Sequence, residues 1–537
     1  MTQDKAKRRE PRRRPVVVRP TVVPSGGGFR PALLVFVVGL ALRAFYVASI
    51  HNAYFFRELQ TEPLRYHQWA TLILDGPAAP LPPFEQSPGY AYFVAAVYAL
   101  FGRSVTAVAC VQAILDAAMC ALLTVIGERW FGWRAGVIAG GVAAAYGPFI
   151  YFTAQLLPST LFVFLAVAAL VAAVFTAPAL AGGLWAAALL VRSEIVVALP
   201  FVLFDAWTRC GRAAVLKTAV PVALCVATMV VFNAAGSGAF VLFTTSDGVN
   251  LWLGNNPHAD GVNPFIYGPL EPIADDVRAR AATGVDADRI FQGHALAFLH
   301  EEPGQAMRLL WKKLVWTLSD RELPNTDDIE WVTGHSWLFW RPLFPLSFGM
   351  LLPCALAGTW MLGRRWREHT SLLGLFLTGI ATGVVFFTNA RFRLILMPPV
   401  LLLAAVALDR LPALARERNW RPLLGPAVGF IAGAMLAWGN FYGVRAYHIP
   451  QISVNTGAME REAGEFEPAV RHLREGLAGD PHDAIGWIHL ALALEQQGDV
   501  EAARQVYRDA QAQLPDDPEV RQMTTRFLER HPARQGD

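Results

Sequence analysis

Residues 156–176 read LLPSTLFVFLAVAALVAAVFT, twenty-one positions without a charge. A helix of about 20 apolar residues crosses the hydrocarbon of a bilayer. Within that hydrocarbon only a helix or a closed barrel satisfies its own backbone hydrogen bonds. Comparable apolar runs stand at 32–50, 104–126, 134–152, 179–206, 214–234, 342–362, 370–388, 393–408 and 422–442. Charged residues make up only 17% of the 537, against about a quarter in a soluble domain. The chain therefore reads as an all-α polytopic membrane protein. Cys110, Cys120, Cys210, Cys225 and Cys354 lie in or beside the apolar runs, a placement that suggests neither a disulfide framework nor a thiolate metal site.

Positive charge orients the runs, because cytoplasmic loops carry the excess of Lys and Arg. Lys5, Lys7, Arg8, Arg9, Arg12, Arg13 and Arg14 crowd a Pro- and Gly-rich tail over 1–30, expected to be disordered and cytoplasmic. Arg129 and Arg134, then Arg209, Arg212 and Lys217, then Arg364, Arg365 and Arg367, then Arg410, Arg416, Arg418 and Arg421 mark further cytoplasmic turns. That leaves 51–103, 235–341 and everything after 443 outside, in the periplasm of a Gram-negative cell. The count closes only if 179–206 enters and leaves on the cytoplasmic side. Arg192 and Glu194 sit at its middle, two apart and unable to face each other on one helix. Two half-helices meeting at Arg192-Ser193-Glu194, with the turn towards the outer face, remove the cost of lone charges in the bilayer. The loop 235–341 is too long for a plain connector, and its stretch Met307–Leu318, with Lys312-Lys313, reads as a helix lying on the membrane.

Beyond residue 450 the chain turns polar and charged with a helical period. Gly464 recurs as Gly498, Ala469 as Ala503, Leu473 as Tyr507 and Pro481 as Pro515, each 34 residues on. That is the tetratricopeptide period, and Trp487, Leu490, Leu494 and Ala510 fit the motif of the second unit. Residues 450–530 are thus expected to form a small α-solenoid of about two repeats and a capping helix at 518–530. So few repeats are marginal alone, so this part should lean on the membrane part, 31–445, or on a protein partner.

The outer loops carry the chemistry. The first reads Glu62-Pro63-Leu64-Arg65-Tyr66-His67, then Asp75-Gly76, then Pro83-Phe84-Glu85, Ser87-Pro88-Gly89-Tyr90 and Phe101-Gly102. Further on come Gly147-Pro148-Phe149-Ile150-Tyr151 to Gln155 and Pro158, the segment Asn250 to Gly254-Asn255-Asn256, and Asn389-Ala390-Arg391-Phe392-Arg393 before Pro398-Pro399. In this order the pieces resemble the GT-C membrane glycosyltransferases, in the branch of bacterial protein-mannosyltransferase-like and aminoarabinose-transferase-like enzymes (family 39-like). The resemblance covers about 32–442. It departs at Glu62, where relatives have Asp, and at Gln155, near which a carboxylate is common.

The resemblance implies a GT-C-like helical bundle that moves a sugar from a polyprenyl-phosphate carrier to a hydroxyl of a glycan, lipid or protein on the outer face of the cell inner membrane. The leaving lipid phosphate is already an anion, so no general acid is needed, in contrast to glycoside hydrolysis. The reaction needs one base for the acceptor proton and cations for the phosphate. Glu62 fits the first role, and Arg391 with Arg393 the second. On an extended segment the two arginines converge; on a helix they diverge by about 200° and only one reaches the anion. Asp75, Glu85, Tyr66, Arg192, Glu194 and Asn255 are secondary candidates. No metal ligand set and no cofactor is expected, and no nucleic acid. Each residue also has a plainer reading: a loop glutamate is usually solvated, arginines at a helix end anchor to headgroups, and Asn255, Asn256 and Asp260 serve turns. Two other functions stay open, a catalytically inactive scaffold acting through the repeats, and a lipid or sugar transporter, although no internal repeat of the spans supports the latter.

Overall fold

The computed structural model describes residues 29–76, 84–324, 329–336, 346–416 and 421–532. The basic tail, Pro83 and Arg418 lie outside the described residues, among which no strand occurs. The chain opens with α1 (Phe29–Ile50), followed by α2 (Tyr54–Arg57), α3 (Thr61–Asp75) and α4 (Gly89–Phe101). Then come α5 (Val105–Phe131), α6 (Trp133–Ala144), α7 (Gly147–Ala154), α8 (Ser159–Val174), α9 (Pro178–Val191), α10 (Leu199–Cys210) and α11 (Arg212–Ser237). The long loop holds α12 (Asp247–Gly254), α13 (Glu271–Arg280), α14 (Gly284–Glu301), α15 (Pro303–Thr317) and α16 (Ile329–Gly334). α17 (Phe348–Leu362), α18 (Thr370–Val385), α19 (Ala390–Arg393), α20 (Met397–Arg416) and α21 (Leu424–Trp438) complete the membrane part. The repeats are α22 (Pro450–Glu462), α23 (Phe466–Gly479), α24 (Ala484–Gln497), α25 (Val500–Gln513) and α26 (Pro518–Arg530).

Six helical stretches of the described residues are long and apolar enough to cross a membrane: Phe29–Ile50, Val105–Phe131, Arg212–Ser237, Phe348–Val385, Ala390–Leu414 and Arg421–Trp438. The other expected spans are present in broken or shortened form. The run 134–152 is two helices, α6 and α7, bent by 49° at the break. The run 156–176 is the single short helix α8, because Pro158 starts it and Thr176 turns away with a positive φ of 57°. The run 179–206 divides into α9 and α10 around a 3-10 turn, Ser193–Ala198, and the break falls at Arg192. The first loop is less of a loop than its sequence suggests, since α4 is an apolar helix whose Tyr90, Ala91, Val94 and Tyr98 are buried in the main core.

Small residues let the helices approach. A Cβ on Gly136 would stand 2.5 Å from the carbonyl oxygen of Thr124, so α6 crosses α5 backbone to backbone. The charge inside α1 is matched: the Arg43 guanidinium pairs with Asp116 of α5 and donates to the Ala144 carbonyl at 2.9 Å. Neither side chain reaches solvent or lipid, so the pair locks α1 to α5 and α6, and breaking it would strand a charge. In the repeats, Gly464 and Gly498 both take left-handed φ values, 82° and 96°, at equivalent helix ends, the conformation for which glycine is suited. Ala469, Leu473, Ala503 and Tyr507 are buried in one core there.

α15 departs from the expected membrane-surface helix. Met307 and Trp311 are exposed, but Lys313 and Trp316 are buried in protein. The Lys313 ammonium donates to the carbonyls of Gly254 at 3.1 Å and Phe386 at 2.9 Å and to the Asn255 side chain at 3.0 Å. Those carbonyls stand at the ends of α12 and α18, where helix dipoles favour a cation.

Candidate active site

α3 begins abruptly. Gln60 is extended, Thr61 holds a φ of 48°, and the helix then presents Glu62 in its first turn, where a carboxylate suits the helix dipole. Pro63, Tyr66 and Ala70 form the buried face of the helix. Across the cavity, the Asn389 side chain accepts from the Phe392 amide at 2.9 Å and caps α19. Arg391 therefore stands in a helix start, with its side chain turned back to the loop.

Glu62 and Arg391, separated by most of the chain, form an ion pair. Both line an open cavity of about 460 Å³, together with Tyr66, Arg192, Glu194, Asp247 and Asn250. The broken span brings Arg192 and Glu194 there as a second ion pair, and the Arg192 guanidinium lies 4.7 Å from the Phe392 ring. The Arg391 Nε is buried and has no hydrogen-bond partner among the described residues. Burial and the nearby Glu62 push the Tyr66 hydroxyl well above the usual tyrosine range, so it is a neutral hydrogen-bonding group.

The remaining candidates are elsewhere. Arg393 points away from the cavity. It pairs with Glu322 at 2.5 Å, donates to the Ser319 and Arg321 carbonyls at 2.5 and 3.1 Å, and faces the Phe348 ring at 4.4 Å. Both arginines lie within α19, and two helical steps separate their directions. Asp75 pairs with Arg103 in solvent at the far end of α3. Glu85 pairs with Arg65 at 3.0 Å, also exposed, but Arg65 lines the cavity, so Glu85 is at its rim. Asn255 is buried and structural: its amide donates to the Leu251 and Val385 carbonyls at 2.8 and 2.7 Å. Asp260 makes a turn, accepting from the Val262 and Asn263 amides, and also takes the Tyr447 hydroxyl.

Sequence reasoning missed Asp247. It lines the first cavity and also a neighbouring one of about 400 Å³ with Phe243, Asp288 and Phe386. The Thr244 hydroxyl donates to it at 2.8 Å. Burial, with Asp288 and Glu194 nearby, pushes its carboxyl up to about 6. The signal was available in Thr244-Thr245-Ser246-Asp247, a hydroxyl-rich run ending in an acid just before Asn250.

Residues 460–527 match the family model of the tetratricopeptide repeat. No curated protein sequence matches the chain. Among solved structures, the chain is similar to the archaeal oligosaccharyltransferase AglB from Archaeoglobus fulgidus in complex with an inhibitory peptide and a dolichol-phosphate, at 14% identity and a TM-score of 0.39 over 81% of this chain and 58% of that one. The apo form of the Archaeoglobus fulgidus oligosaccharyltransferase matches at 15% identity and a TM-score of 0.42, over 94% and 60% of the two chains. ArnT from Cupriavidus metallidurans bound to undecaprenyl phosphate matches at 15% identity and a TM-score of 0.40, over 95% and 87%. The chain thus spans less than two thirds of the length of the archaeal enzyme.

Proposed function

We propose that this protein is a membrane glycosyltransferase that moves a sugar from a polyprenyl-phosphate carrier to a hydroxyl of a glycan, lipid or protein at the outer face of the plasma membrane. The carrying observation is that Glu62 and Arg391, chosen for complementary roles in that reaction, meet in one open cavity. In the resting site each neutralises the other. A donor phosphate offers Arg391 a second anion, and the fork of a guanidinium suits it. Once Arg391 turns to the phosphate, Glu62 is released to take the acceptor proton. Arg192, half freed by the same logic from Glu194, is the second cation within reach of the cavity. Arg393 supports the wall of the site through Glu322 and is not part of the phosphate grip in this reading. The lipid-linked sugar is itself the activated substrate, so the reaction as proposed calls for no cofactor.

The test uses lipid extracts of cells lacking the gene. A polyprenyl-phosphate sugar should accumulate, and the wild-type chain but not Glu62→Gln should clear it. If no such lipid accumulates, or if Glu62→Gln clears it as fast as wild type, the proposal is wrong.

A further inference from the structure

We infer that the first repeat helix, α22, supports Glu62 from behind, so that the repeat part is a positioning element of the site and not a tethered accessory. The inference rests on the base role proposed for Glu62 and adds to it the element that holds the residue in place.

The chain of contacts is short. Met459 of α22 closes a small cavity with Phe55, Phe56, Gln60 and Pro63, the residues on either side of the Glu62 turn, and α2 packs against α22. Next to Met459, the carboxylate of Glu460 is 2% exposed. It accepts the Trp331 indole N–H at 2.7 Å and meets His472 Nδ1 of α23 at 2.7 Å. The Trp331 ring stands edge-on to Phe55 with centroids 5.3 Å apart. Glu460 therefore ties three things together: the second repeat helix, α16 of the long loop, and through Trp331 the segment that runs into α3.

Between that segment and Glu62 lies one residue, Thr61, with a φ of 48°. A β-branched residue in the left-handed region is strained and persists only where its surroundings over-determine it. The neighbours of Thr61, Gln60 and Pro63, share the small cavity with Met459 of α22 and with Ala154, Gln155 and Leu156 of the membrane part. On the other side Thr61 lines the cavity itself. With the grip on 54–60 released, Thr61 can relax to ordinary backbone angles, and that relaxation swings the first turn of α3 and the Glu62 side chain away from Arg391. A free tether joining the repeats to the last span would need none of these contacts.

The experiment is hydrogen exchange on the full-length protein in detergent, comparing wild type with Glu460→Ala, Glu460→Gln and Trp331→Phe. Glu460→Ala should speed exchange in peptides covering 54–66 by about tenfold or more, the range of a local opening, while α5, α24 and α25 exchange as in wild type. Glu460→Gln keeps an acceptor for the indole and should stay close to wild type. Trp331→Phe keeps the ring on Phe55 but loses the N–H, and should fall between them; it decides the question if Glu460→Ala does not fold. In cells, Glu460→Ala should behave as Glu62→Gln does and Glu460→Gln should not. Unchanged exchange over 54–66 in both Glu460→Ala and Trp331→Phe overturns the inference. Absence of any accumulating lipid-linked sugar would count against glycosyl transfer and leave the exchange result standing.

Discussion

Glu62 and Arg391 neutralise each other in a partly shielded cavity, and their separate substitutions should have different kinetic signatures. A base acts in the transition state, so Glu62→Gln should lower turnover on the order of a hundred- to ten-thousandfold with little change in half-saturating donor concentration. Arg391→Ala removes a charge-assisted contact worth about 1.5–3 kcal/mol and should raise the half-saturating donor concentration accordingly. Arg391→Lys should restore only part, since it carries charge without the fork. Arg393→Ala should instead destabilise the protein, because it removes a buried guanidinium that holds the Ser319 and Arg321 carbonyls and leaves the partly buried Glu322 without its cation. Normal thermal stability of Arg393→Ala, combined with weakened donor use, would return Arg393 to the phosphate. Asp247 makes a further prediction with a definite sign. Its folded carboxyl titrates at about 6, above the ordinary value near 3.9, so the folded state binds the proton more tightly and gains stability as pH falls through about 6. Asp247→Asn should raise the melting temperature at pH 8 and leave it nearly unchanged at pH 4. An equal shift at both values would mean that the carboxyl is not held against ionisation.

At the scale of elements, the decisive feature is a helix that stops. α9 ends at Arg192, and because the chain there becomes a 3-10 turn, Arg192 and Glu194 pair across two residues as no α-helix allows. The turn puts both charges on the cavity. The repeats offer an element-level test through two histidines. Hydrogen bonding to Glu460 raises the His472 pKa above 6.5, so its contribution to stability is full below about 6.5 and fades as pH rises through the raised value. Burial, aided by Arg461, lowers His489 to about 4, so the folded state loses stability as pH falls from about 6.5 towards 4. Local exchange in α23 and α24 should therefore be slowest near pH 6.5, after correction for intrinsic rates. His472→Gln should flatten the alkaline limb and His489→Gln the acid limb. A profile that ignores both substitutions would refute the assignment.

For the whole molecule, burial distinguishes central from peripheral helices. The stretch Ala390–Leu414 is 72% buried across its most apolar window, against 17% for Arg212–Ser237 and 22% for Arg421–Trp438. The outer surfaces of α11 and α21 expose Leu224, Val231, Val428, Ile431 and Met435, as a lipid-facing surface does. The long loop packs against the segment leading into the repeats and against the repeats themselves: Asp260 bonds Tyr447, Arg321 donates to the Arg445 carbonyl at 3.0 Å, and Trp331 donates to Glu460. With the cavity and the repeats in contact, the expectation from the arginine-rich turns places both on the outer side. A periplasmic reporter fused after residue 532 should be active and a cytoplasmic one silent, and a cysteine at Ser193 should react with an impermeant reagent from outside. The opposite pattern would invert the topology.

The helical class, the positions of most spans and the 34-residue repeat were legible in the sequence, because apolar length and periodicity are local properties that a bilayer or a helix pair reads directly. The break at Arg192 was legible for a related reason: a charge within an apolar span has few inexpensive places to be. Glu62 and Arg391 were picked out by the order of motifs and not by any local cost, and folding brings the two to one cavity. Which charge meets which was not local. Arg391 and Arg393 are chemically alike and two residues apart, and only the start of α19 sends one to Glu62 and the other to Glu322. Arg43 and Asp116 lie in different spans, and their pairing depends on how α1 packs on α5. Asp247 stands out only once folding places it between two cavities. Met459 of α22 meets Gln60 and Pro63, on either side of Thr61, across some four hundred residues of sequence. Such contacts are set by packing of distant surfaces, a term that no window along the chain contains.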